Sequence, residues 1–145
     1  MSTGKTFQVF GQPVEVLASS RSTNRSFTVI TQTCQPGEGV PPHVHANEDE
    51  FFTVLEGEFE LFDGERWKPL PKGQSSFALR GQPHAFRAAG TSTSKMMVFC
   101  SPGGLDEYLE SISQLAMPQD LERLVQISEP YGIRFLAPAG VPAEA

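Results

Sequence analysis

Cysteine is scarce in this chain of 145 residues. Only Cys34 and Cys100 occur, and they form neither a C-x-x-C pair nor a zinc-knuckle spacing. A disulfide framework is thereby excluded, and both residues are expected as buried apolar thiols. Positive charge is also thin. Eleven Lys and Arg stand against seventeen Asp and Glu, a formal charge of −6 with no basic cluster. Such a balance repels phosphate backbones and argues against nucleic acid as a partner. No apolar run approaches the length of a membrane span, so no membrane partner is expected. The opening MSTGKTFQVF lacks a basic stretch followed by an apolar one. It reads as no signal peptide, and the cytoplasm is the expected location. What remains is enough for one domain of ordinary size, with eleven Phe as bulky core material.

No internal repeat or low-complexity block is visible. From Phe7 to Cys100 the sequence reads as short β-branched and aromatic runs cut by Gly, Pro, Asn and Asp. Expected strands are Val14 to Ser19, Ser26 to Cys34, Phe51 to Leu55, Glu58 to Phe62, Ser75 to Leu79, His84 to Arg87 and Lys95 to Cys100. Asp63-Gly64 signals a two-residue hairpin returning through Glu65 to Lys68. Many short strands with frequent turns indicate a sandwich or barrel. After Ser101 to Gly104 the period changes. Leu105, Tyr108, Leu109 and Ile112 share one helical face. Pro118 suits the first turn of a second helix with Leu121, Leu124 and Val125 on its apolar face, ended by Pro130 and Gly132. Ile133 to Leu136 reads as a last strand. The expected organisation is one domain: a barrel over residues 1–102, a helical tail and terminal strand packed on it over 103–137, and disorder over 138–145. Strands such as Phe51 to Leu55 and Met96 to Phe99 are apolar on both faces. Something must cover the outer face too: the tail, or a partner subunit, which makes a homodimer the expected assembly.

All three histidines lie in two segments, Gly37 to Gly57 and Gly73 to Ala88. His43 and His45 are two apart, which on a strand turns both imidazoles to one face, where they can grip one ion. Pro41 and Pro42 stiffen the approach. Carboxylates for the same ion are offered by Glu48, Asp49 and Glu50. Asn47 interrupts the alternation, so parity does not choose among the three. If Glu50 is the ligand, Phe52 and Val54 share its face and line the same cavity. His84 must arrive from a neighbouring strand, with Phe86 on its face. Arg87, out of phase with His84, should point away.

The first segment resembles the first motif of the cupin family: Gly, five residues, His-x-His, four residues, Glu, six residues, Gly. Gly37, His43, His45, Glu50 and Gly57 fit it at every position. The second segment resembles the second cupin motif, with Gly73, Gly81 and His84 in place and departures at Leu79 and Ala88. The resemblance implies a mainly β fold, a double-sheet jelly-roll barrel with a short helical tail. It selects Glu50 over its acidic neighbours and implies one divalent transition metal (Fe, Mn, Ni, Co, Cu or Zn) held by His43, His45, Glu50 and His84. The small-cupin spacing and the tail further resemble quercetin-dioxygenase-like cupins. On that resemblance the expected function is a metal-dependent dioxygenase acting on a small enol or aromatic substrate, with Glu50 as ligand and base and Phe52, Val54 and Phe86 as pocket walls. A non-catalytic metal-binding or small-ligand-binding cupin, or an isomerase or epimerase of a small metabolite, are the alternatives, because the fold hosts many functions.

Overall fold

Side chains alternate inward and outward along β2 (Gln12–Ala18), β5 (Asp49–Glu56) and β10 (Ser94–Ser101) in the computed structural model, which describes residues 4–136. That alternation builds two facing antiparallel sheets. With β1 (Lys5–Val9), β3 (Thr28–Cys34) and β8 (Ser75–Ala78), the first sheet runs β1-β2-β3-β10-β5-β8. The second comprises β4 (Gly39–His45), β6 (Glu58–Phe62), β7 (Trp67–Pro71), β9 (His84–Ala89) and β11 (Ile133–Phe135), in the order β11-β4-β9-β6-β7. The two sheets do not join into a hydrogen-bonded ring, so the jelly roll is closed by side chains. Phe52, Ile30 and Met96 from the first sheet meet Phe59 and Phe86 from the second in the core. Phe86 lies edge-on to Phe59 with ring centroids 5.6 Å apart. Both cysteines are buried and unpaired. Among the described residues no helix is long and apolar enough to cross a membrane.

The expected strands are present, and three features differ from the sequence reading. The turn after β6 is longer than two residues: Phe62 pairs with Trp67, and Asp63 Oδ1 accepts the Glu65 and Arg66 amides at 2.9 and 3.1 Å. The carboxylate caps the turn, and Gly64 supplies its positive φ of 101°. Strand β1 was not foreseen, and β4, considered only as a strand under His43 and His45, begins already at Gly39 and runs through Pro41 and Pro42, although proline is normally a strand breaker. The second helix, α2 (Leu121–Ser128), begins after Pro118 rather than on it, and Leu121 and Val125 are exposed while Leu124 is buried.

Among the described residues the tail lines the cavity, and it leaves Phe51 and Phe77 on the outer face of the first sheet exposed. Helix α1 (Leu105–Ile112) packs against β1 and β3, and α2 packs against β11. Asp106, buried, fixes α1 in place by accepting the Ser20 amide at 3.1 Å and the Thr28 hydroxyl at 3.2 Å. Strand β11 then hydrogen-bonds to β4, the strand that carries the paired histidines. The stretch 138–145, expected to be disordered, lies outside the described residues.

Candidate metal centre

β4 places His43 and His45 on the inner face of the five-stranded sheet, and β9 sets His84 directly across from His43. Pro41 and Pro42 have no N–H for the β9 ladder, and the register slips between Val40 and His43 to accommodate them. The carboxylate comes from the other sheet. Asn47 lies in the turn that carries the chain across, and β5 brings Glu50 to face the three rings with Phe52 and Val54 inward behind it. One ligand atom from each of His43, His45, Glu50 and His84 lies within 4.8 Å of all the others, and all four residues are buried. The Gly81 amide donates to the His45 carbonyl at 2.8 Å, so the two motif segments are tied together beside the site.

Hydrogen bonds fix which ring nitrogens face inward. Nδ1 of His43 donates to the Pro41 carbonyl at 2.8 Å, Nδ1 of His84 to the Gln82 carbonyl at 3.1 Å, and Nδ1 of His45 to Glu48 Oε1 at 3.1 Å. Carbonyls and carboxylates only accept, so each Nδ1 carries its proton and each Nε2 is the atom turned to the centre. Nε2 of His84 is buried there without a hydrogen-bond partner, and Oε2 of Glu50 is met by Nε2 of His45. An acceptor orphaned like His84 Nε2 costs free energy unless something satisfies it. Atoms sharing one zinc-sized ion lie at most about 4.2 Å apart, so closing by a few tenths of an ångström suffices. The donor set therefore fits a divalent metal, with the three imidazoles and Glu50 as the residues that would hold it.

Charge is arranged to match. Burial, then His84 and His45, push the His43 imidazole down to about 3, so it is neutral and available as a ligand. Burial also pulls His45 down, but Glu50, 2.5 Å from its Nε2, and Glu48 more than reverse this and raise it to about 9. Glu50 is held well below the usual carboxylate range: burial opposes its charge, and His45 and His84 outweigh it. Glu48 was one of three carboxylates that the sequence offered for the ion. It proves to be the acceptor that orients His45, the outer carboxylate common beside metal-bound imidazoles. Asp49 instead pairs with Arg80 at the surface, and Arg87 pairs with Glu60 and lies over the Trp67 ring.

A cavity of about 330 Å³ opens on His43, His45 and Glu50. Of the three residues proposed as pocket walls, Phe86 lines it and Phe52 and Val54 do not. Phe52 is spent on packing, its ring 5.5 Å from His84 and 6.0 Å from Phe86. Much of the wall comes instead from the tail, including Leu105, Tyr108, Ile112, Leu124 and Phe135, and the rest from the strands. The helical period identified the α1 face but not what it would face.

Comparison with known proteins agrees with this geometry. Residues 30–100 match the cupin domain family. A solved RmlC-like cupin from Desulfovibrio desulfuricans is 30% identical, with a TM-score of 0.53 over 61% of this chain and 80% of its own. The chain is a cupin. This cupin is also 37% identical over 81 residues to quercetin 2,3-dioxygenase of Bacillus subtilis, a match covering 54% of the chain but only 24% of that enzyme. KdgF from Halomonas sp. is alike in fold, with a TM-score of 0.63, 20% identity, and 71% and 90% of the two chains covered. The departures from the second motif are remote from the donors: Leu79 is exposed, and Ala88 is held through its backbone by Gly37 and Glu38.

Proposed function

We propose that this cupin is a metal-dependent dioxygenase acting on an uncharged, largely apolar enol or phenol. The observation that carries the reading is the cavity wall. Apart from the ligands themselves it contains no Lys, Arg or Asp; it is apolar side chains with Tyr108 and two glutamines. A sugar acid or phosphate would find no counter-charge there, which disfavours the isomerase and epimerase readings. The cavity volume, about 330 Å³, sits at the small end of the range usual for ligand pockets. Partial likeness to quercetin 2,3-dioxygenase supports the same substrate class.

A bound divalent metal would supply Lewis-acid polarisation of the substrate oxygen and a route to O₂. Glu50, whose carboxylate lines the cavity, takes the hydroxyl proton of the substrate. The apolar tail excludes water from the charged substrate that results. Both atoms of O₂ end in the oxidised product. Protein reconstituted separately with Fe(II), Mn, Co, Ni and Cu should consume O₂ with at least one flavonol or catechol in at least one metal form. No uptake above the free-metal controls across the whole panel would overturn the proposal in favour of a non-catalytic binding cupin.

We further infer a homodimer. Val29, Phe99, Phe51 and Phe77 pair in one row across the outer face of β3, β10, β5 and β8. Phe51 and Phe77 are 44% and 59% exposed. A contiguous apolar row of this kind is typical of a surface that another protein covers.

A further inference from the structure

At the end of the cavity away from the metal ligands stand two buried glutamines, Gln12 on β2 and Gln32 on β3. Their amide orientations follow from one carbonyl. Gly39 O can only accept, so Gln12 Nε2 must face it, at 3.2 Å. Gln12 Oε1 is then turned to β3, where it accepts from Gln32 Nε2 at 2.6 Å and from the Cys34 thiol at 3.4 Å. Gln32 Nε2 is thereby committed as well. Among the described residues its Oε1 is left as an acceptor without a protein donor, on a side chain that lines the cavity. Reversing either amide would set two oxygens against each other, so the chain of bonds permits one arrangement.

The sheet register gives the separation. Gln32 pairs with Met96 and Met96 with Val54, which lies four residues beyond Glu50 on β5. That is about 13 Å along the strands and about 10 Å across two strand spacings, or roughly 16 Å between the Cα atoms of Gln32 and Glu50. Ile30 and Val98 occupy the wall in between and offer no polar group. Tyr108, the other polar residue of the wall, is already engaged, its hydroxyl 2.6 Å from Ser128 Oγ.

We propose that Gln32 Oε1 forms a distal subsite that accepts a hydrogen bond from a hydroxyl at the far end of an elongated apolar ligand whose other end is held at the metal. The proposal rests on the oxygenase reading and narrows it: the substrate carries a chelating oxygen pair at one end, an apolar body, and a hydroxyl donor at the other. A hydroxyl placed against this acceptor gains a hydrogen bond that a ligand lacking the hydroxyl does not make.

Two probes that differ only at that end test it. Binding of 3-hydroxyflavone and 3,4′-dihydroxyflavone is measured by fluorescence on the metal-loaded protein, kept free of oxygen so that no turnover intervenes. Wild type should bind the 4′-hydroxylated compound roughly 3- to 10-fold more tightly, the range of one net hydrogen bond. Gln32→Leu should erase that preference by weakening only the hydroxylated probe. Gln32→Met, nearer in length, serves if the leucine variant fails to fold. Equal affinities in wild type, or a preference that survives in the variant, overturn the subsite and leave the oxygenase reading standing. Failure of wild type to bind either flavonol overturns the oxygenase substrate class and the subsite together.

Discussion

Metal uptake by this cupin should release a proton under conditions where ordinary histidines have none to give. His45, raised to about 9, holds a proton between itself and Glu50 that a metal ion must displace. At pH 8 about 0.9 of such groups are protonated, against about 0.03 of a histidine titrating near 6.5. His43, pushed down to about 3, and Glu50, held low, contribute none at this pH. The expected release is therefore close to one proton per metal at pH 7 to 8 and about one half at pH 9. Apparent affinity should rise by about tenfold between pH 7 and 8 and flatten above 9. Titration calorimetry with Mn(II) in two buffers of different ionisation heat reads the count directly, and a weak Lewis acid keeps ionisation of bound water out of it. The sign also fixes the metal-free fold. A raised histidine adds stability that is complete below about 6.5 and lost as pH climbs through 9. Release of less than about 0.2 protons at pH 8, or an affinity flat from pH 7 to 8, would refute the coupled His45–Glu50 pair.

Three further outcomes follow from particular contacts. Glu48→Ala removes the acceptor that orients His45 and should weaken metal binding by roughly 10- to 100-fold in chelator competition, whereas Asp49→Asn, acting on a surface pair, should not; equal affinities for the two variants contradict the orienting role. Gly37 and Gly57 both hold positive φ, 88° and 73°, but a Cβ at Gly57 would collide with Ser94 while Gly37 faces open space. Gly37→Ala should cost about 1–2 kcal/mol in urea unfolding and Gly57→Ala about 1–3 kcal/mol more; equal losses would show that Ser94 moves aside. Light scattering at micromolar concentration should give twice the chain mass, reduced to one chain by Phe51→Lys with Phe77→Lys; a wild-type monomer removes the dimer.

The histidine pair was legible because a spacing of two has one meaning on a strand, and Gly37 to Gly57 contains all the local information needed to place both rings on one face. Glu48 was not. Three adjacent acids after a turn differ only in direction, and direction is settled by where β5 begins. The glutamine pair was hidden for a different reason. Gln12 and Gln32 are twenty positions apart, and only the β2–β3 pairing brings them together. The apolar face of α1 was visible as a face, but whether it covers a sheet or closes a cavity depends on β11 returning to β4, a long-range contact with no local signal. Phe52 was placed correctly as inward, yet parity does not separate core from cavity wall.

One ion held by four residues from two sheets is the centre of this cupin's chemistry. Equilibrium dialysis at pH 7.5 against a single metal, with bound metal counted against protein by mass spectrometry, tests this most directly. Wild type should bind about one ion per chain, and His84→Ala, which removes the orphaned Nε2 facing Glu50, should lose most of it while remaining folded. Unchanged binding in His84→Ala, or none above background in wild type, would contradict the metal centre itself.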